Sequence, residues 1–185
     1  MSMRLATLLC CLGIAACATQ PRVDTAVLPF AAFGTMDNDT AAANQAAWAF
    51  ASPQRTRNDP VDAARAVAAI DFLAGELSSN PGWVTVSPLT KQQMLQARQD
   101  VRRALGIAPT TPSQVVVNAL LGFAAAWQGG NRPGALQLIA VPGFTLSPEQ
   151  TLQTLSNMPY IQSANLASTD AAQQMMPGGD LHRVE

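Results

Sequence analysis

Few side chains in this 185-residue chain could do chemistry, and their types narrow what that chemistry can be. Cys10, Cys11 and Cys17 are its only cysteines and His182 is its only histidine. Histidine-based triads need an imidazole beside the nucleophile, and the usual zinc sites need several thiolates or imidazoles, so neither is expected. The sequence has no Gly-x-Ser-x-Gly elbow, no Ser-x-x-Lys pair and no phosphate-cradling glycine loop. What remains is one glutamate, four clustered cations, three tryptophans and Cys17.

Lys91, Arg98 and Arg102 stand seven and four residues apart, with Arg103 alongside, which on a helix makes a basic stripe. Such a stripe could face an anionic partner, and these four are the candidate partner-binding residues. The plainer reading is a solvated helix face whose charge complements the C-terminal dipole. Glu76 could serve as acid and base on a glycosidic oxygen, as single glutamates do in helical cell-wall lytic enzymes, although none of their surrounding motifs is present. A surface glutamate is the simpler reading. Trp48, Trp83 and Trp127 could line a small apolar pocket for a lipid or other small ligand, and otherwise belong to the core.

Cys17 closes the run Ile14-Ala15-Ala16-Cys17, preceded by Arg4 and an uncharged stretch from Leu5 to Ile14. This order resembles the signal peptide of bacterial lipoproteins, whose lipobox pairs an aliphatic residue and two small ones with a thiol that takes lipid. The apolar run is shorter than the roughly 20 residues a membrane span requires, which suits export and removal. The resemblance implies cleavage before Cys17, a mature chain of 185 − 16 = 169 residues, and a diacylglyceryl thioether on Cys17. For a Gram-negative source it also implies the outer membrane, because Ala18 rather than Asp follows the cysteine. Two or more acyl chains anchor stably where one holds only marginally. Cleavage at the small-x-small site Ala16-Cys17-Ala18 by an ordinary signal peptidase would instead release a free secreted protein.

Composition limits the rest. A net charge of −1 with 12% charged residues argues against a nucleic-acid binder, which needs a clustered basic face. With Cys10 and Cys11 removed and Cys17 acylated, the mature domain holds no disulfide and must be stabilised by packing. No cofactor is expected.

The elements that must position these residues read as helices. The expected organisation is a signal peptide (1–16), a lipidated tether (17–35), a helical domain (36–176) and a flexible tail (177–185). The fold class is all-α, a single compact bundle of about five to seven helices. A first helix should run from Thr40 to about Ala51, capped by Asp39 or Asn38, a cap reading preferred to the glycosylation pattern Asn38-Asp39-Thr40. Asp59-Pro60 starts a second, whose Ala63, Val67, Ile70, Ala74 and Leu77 line one face. Ser78 to Gly82 ends it, and Trp83 to Val86 is read as extended loop. Ser87-Pro88 opens a third helix that buries Leu89, Met94, Ala97, Val101 and Leu105 and ends at Gly106 in a Schellman-type turn.

Thr111 to Gln114 reads as a capping box for a fourth helix, Pro112 to Gln128, which carries no charge. Being apolar all round, it is expected at the centre of the bundle with neighbours on every side, and Gly122 should admit a close helix. Ala135 to Val141 could be a short helix or a strand. Ser147-Pro148 starts another helix with Leu152 and Leu155 inward, and Ser168 or Thr169 should cap a last one ending at Met176. The recurring Xaa-Pro starts share cap chemistry, and their uneven spacing does not make a helical repeat. The reading that follows is a lipid-anchored envelope protein acting as a non-catalytic interaction or accessory module. Its partners would be the membrane, through the anchor, and an envelope protein or cell-wall component.

Overall fold

A computed structural model describes residues 23–34 and 37–176. The expected signal peptide, Cys17 and the start of the expected tether, the expected tail with His182, and residues 35 and 36 lie outside the described residues. Within them the chain forms seven α-helices, all-α as expected: α1 (Asn38–Phe50), α2 (Pro60–Ser79), α3 (Pro88–Ala104), α4 (Ser113–Gln128), α5 (Arg132–Leu138), α6 (Pro148–Ser156) and α7 (Gln162–Met175). Single 3-10 turns at Pro53–Arg55 and Pro81–Trp83 join α1 to α2 and α2 to α3. Trp83 thus closes a turn rather than lying in extended loop.

The centre of the bundle is α2, not α4. Fifteen of its twenty residues are buried, against seven of sixteen in α4. Alanines decide this: Ala63, Ala64, Ala66, Ala68, Ala69 and Ala74 leave α2 thin on every side, so α1, α3 and α4 all pack against it. The uncharged α4 leaves Asn118, Ala125 and Gln128 exposed, and partial cover of its outer face comes from α5. Gly122 faces Leu138 of α5, but a methyl group there would stand 3.4 Å from that side chain, an ordinary contact, so the approach of α5 does not depend on the glycine. Ala135 to Val141 is therefore helical only in its first part.

Local chemistry explains the helix starts. Asp59 accepts from the amides of Val61 and Asp62, Ser87 from Thr90, and Ser147 from Gln150 in a full capping box. Three expected starts are corrected. Asp37 rather than Asp39 or Asn38 caps α1. The box at Thr111 does not form, because the Gln114 side chain is taken by Val27. The last helix begins at Gln162, and Ser168 sits inside it, buried, donating to the carbonyl of Ala164. Helix α3 ends as expected: Ile107 N–H donates to Arg102 O at 2.8 Å and Gly106 N–H to Arg103 O at 3.2 Å, with Gly106 at φ 63°. Leu89, expected inside, is 63% exposed at the first turn of α3.

Residues 23–34 form a strap along the bundle. Ala26 is buried, and Leu28 and Phe33 pack on the core, while Phe30 is fully exposed. Asp24 and Thr25 cross Gly75 of α2 so closely that a Cβ there would fall 2.5 Å from Asp24 O.

Candidate functional site

The basic stripe is split by the fold. On α3, Arg98 and Arg102 are one turn apart and turn inward toward α2 and the start of α4, whereas Arg103 points outward and Lys91 lies half-exposed near the helix start. The continuous cationic face that the spacing predicts is therefore not formed. Its cause is Asp71, a fully buried carboxylate on α2 that requires a cation beside it.

Arg102, 4% exposed, supplies that cation. Its Nε donates to Asp71 Oδ2 and its Nη2 to Asp71 Oδ1, both at 2.7 Å, the fork geometry in which arginine binds carboxylate best. The Nη1 group donates to the carbonyls of Pro109 at 3.1 Å and Thr111 at 2.8 Å, and Nη2 also donates to Ser113 Oγ at 3.0 Å. All five N–H donors of the guanidinium are thus used within the fold. No donor is left for a ligand.

Around this pair the strap closes the arrangement. The first amide of α4, Ser113 N–H, donates to Asp24 Oδ2 at 2.7 Å, so a residue 89 positions earlier caps that helix. The same carboxylate oxygen lies 3.7 Å from Arg102 Nη2. Val27 N–H donates to Gln114 Oε1 at 2.7 Å, and Gln114 Nε2 donates to Val27 O at 3.1 Å. Arg98 Nη1 donates to Asp24 O at 3.0 Å and to Ser113 Oγ at 3.2 Å. Burial holds the Arg98 guanidinium below its usual range; Arg102 pushes the same way, and Asp71 and Asp24 oppose it.

Outside this network lies a cleft of about 500 Å³, lined by Arg98, Gln99, Arg102, Arg103, Gly106, Ile107, Ala108, Pro109 and Thr145. Its floor is stiffened by two backbone bonds between loops, Ala108 N–H to Gly143 O at 2.8 Å and Thr145 N–H to Gly106 O at 2.7 Å. No carboxylate, thiol or imidazole lines it, so the cleft offers hydrogen-bond donors and apolar walls without a general base, and its one hydroxyl, that of Thr145, donates to Gly106 O. Arg103 at its rim is committed to Asp100 at 2.6 Å. No known family, curated protein or solved structure matches this chain. The reading of these residues rests on their geometry alone.

The other candidates sit apart from the cleft. Glu76, half-exposed near the end of α2, accepts from Asn80 Nδ2. It stands near Asp39 of α1, whose carboxyl is held above its usual range first by burial and then by Glu76 and Asp37, while the indole of Trp83, donating at 3.0 Å, opposes that shift. The three tryptophans do not converge. Trp48 is 39% exposed with Arg55 over its ring, Trp83 is tied to Asp39, and Trp127 stacks on Phe123 beneath Arg132. None lines a cleft described for these residues. Among the described residues no three His, Cys, Asp or Glu side chains gather where a metal ion could bind.

Asp24 and Asp71 are the residues that matter here and that the stripe argument missed. A signal for Asp71 existed: it is flanked by Ile70, Phe72 and Leu73 in a helix read as amphipathic. Asp24 left none, because nothing local shows that a tether carboxylate reaches the start of α4.

Proposed function

We propose that the chain is a lipid-anchored envelope protein, acylated at Cys17, whose helical bundle works as a non-catalytic interaction or accessory module. The observation that carries the reading is the lipobox-type run Ile14 to Cys17 behind a charged, apolar leader. The position of the strap supports it: Asp24, seven residues past Cys17, is bonded to the start of α4, which would keep the bundle close to an acylated N-terminus. Among the described helices none is long and apolar enough to cross a membrane, so attachment would fall to the lipid. The non-catalytic part of the reading is supported by the cleft beside Arg98, which has donors and apolar walls but no acid or base. Ala18 after the cysteine favours the outer membrane, with the bundle in the periplasm of a Gram-negative cell.

Labelling with a fatty-acid analogue, followed by membrane fractionation of cells producing the protein and its Cys17→Ser variant, tests the proposal. The expected result is label and outer-membrane recovery for the parent chain and neither for the variant. Equal membrane recovery of the unlabelled variant would overturn it. One observation favours a second reading, a glycan-cleaving enzyme using Glu76: the half-buried Asp39 stands beside it as a second carboxyl, raised by burial although the Trp83 indole bonded to it opposes the shift. A peptidoglycan zymogram with Glu76→Gln as control separates the two, since an interaction module clears no substrate.

A further inference from the structure

We infer that the end of the bundle nearest the anchor is a lipid-contacting surface, on which exposed apolar side chains insert shallowly into the leaflet that holds the acyl chains. This inference rests on the proposed acylation of Cys17. Four of the large exposed apolar side chains are brought together at one end of the fold: Phe30 at 100%, Val84 at 79%, Leu89 at 63% and Met176 at 53% exposure. They come from four separate parts of the chain, and a series of hydrogen bonds places those parts side by side. Asn38 Nδ2 at the start of α1 donates to Pro29 O, beside Phe30. The Trp83 indole, next to Val84, donates to Asp39 on the same first turn. Ser87 N–H, ahead of Leu89, donates to Gln174 Oε1 near the end of α7, and Gln174 Nε2 donates to Thr90, so Leu89 stands by Met176.

An apolar end of this kind is costly in water and marks a contact surface. The length of the connection to Cys17 selects the occupant. From Cys17 to Val23 the chain has six residue steps, at most about 20 Å when fully extended. Asp24 is fixed against Gly75, close to the C-terminal end of α2 and therefore on the side of these four residues. The other end of α2, at Pro60, lies fifteen residues farther, about 22 Å along the helix. An acylated chain of that reach lets the Phe30 end rest directly on the lipid, while the far end stands about 22 Å farther from the point of attachment. Asp37, Asp39 and Glu76 stand at this same end, with Lys91 the nearby cation on α3, so anionic headgroups would not draw it in. Insertion is driven by the apolar side chains, as for shallow interfacial contacts generally.

Single cysteines placed at Phe30, Val84 or Leu89 of the full acylated protein, and at Ala51 beyond the opposite end of α2, test this. Each would carry an environment-sensitive fluorophore in vesicles of phosphatidylethanolamine and phosphatidylglycerol. Intact mass of the same sample first reports whether Cys17 carries lipid. The expected result is a blue shift and quenching by spin-labelled lipid at positions 30, 84 and 89, none at 51, and no reversal when salt is raised tenfold. An acylated, vesicle-bound protein whose three probes stay water-like would overturn the lipid surface and leave the anchor standing. A shift that needs high protein density or added membrane proteins would overturn it in favour of a second copy or a protein partner. An unmodified Cys17 would overturn both.

Discussion

Arg102 of α3 and Asp71 of α2 meet as a two-pronged ion pair at the centre of the bundle, both contacts 2.7 Å and the carboxylate fully buried. Removing one partner leaves the other charge without compensation, which costs about 3–5 kcal/mol, whereas replacing both with apolar groups is far less severe. In urea denaturation, Arg102→Met is expected to lose stability in that range and Asp71→Leu/Arg102→Met to lose less. The double variant should not reach the parent, because the carbonyls of Pro109 and Thr111 also lose their donor. A double variant worse than either single one would refute the pair as the reason these charges are buried.

Leu120 is fully buried where α4 packs on α2. An aspartate there would place an unpaired carboxylate in the core, at a cost of about 4 kcal/mol or more. Leu120→Asp should fail to accumulate in folded form, while Ala125→Asp, on the exposed side of the same helix, should accumulate normally. Comparable yields of the two would remove α4 from the core.

The strap depends on the bare backbone of Gly75. A Cβ 2.5 Å from Asp24 O forces the crossing apart, so Gly75→Val should release residues 24–28 while the helices stay folded. Hydrogen exchange reads this directly: the Val27 amide, protected by Gln114 in the parent, should exchange much faster in the variant. Asp24→Ala should do the same and lower stability by about 1 kcal/mol through loss of the cap on α4. Unchanged exchange at Val27 in both variants would contradict the docked strap.

Between α3 and α7, Ser163 Oγ donates to Asp100 Oδ2 at 2.7 Å. That bond, ahead of the contributions of Gln96 and Arg103, holds the Asp100 carboxyl below its usual range. A carboxyl lowered in the folded state stabilises above its unfolded pKa, and the gain is lost as pH falls through the folded value. Ser163→Ala should therefore cost about 0.5–1 kcal/mol at neutral pH, and parent and variant should converge in strong acid. A difference that persists undiminished at pH 2 would assign the effect to packing.

How far the chain could be read in advance follows from the range of each interaction. Helix starts at Pro60, Pro88 and Pro148 were legible because an N-cap and a proline act within a few residues. The Schellman ending at Gly106 was legible for the same reason. Which helix is central was not: α4 has the more apolar sequence, but the alanines of α2 let three neighbours approach, and apolarity alone does not report thinness. The stripe from Lys91 to Arg103 was correct as a spacing and wrong as a face, since Arg98 answers to the main-chain carbonyl of Asp24, 74 positions away, and Arg102 to the Asp71 carboxylate, 31 positions away. The fate of Gln114, read as half of a capping box and found holding Val27 87 positions earlier, has the same cause.

The account depends most on Cys17, and intact-mass analysis of the protein purified from the cells that make it tests it most directly. The predicted result is a chain beginning at Cys17, lighter by the sixteen leader residues and heavier by a diacylglyceryl group, with or without a third acyl chain. A chain that begins at Cys17 or Thr19 with no lipid mass, or that keeps the leader intact, would contradict it.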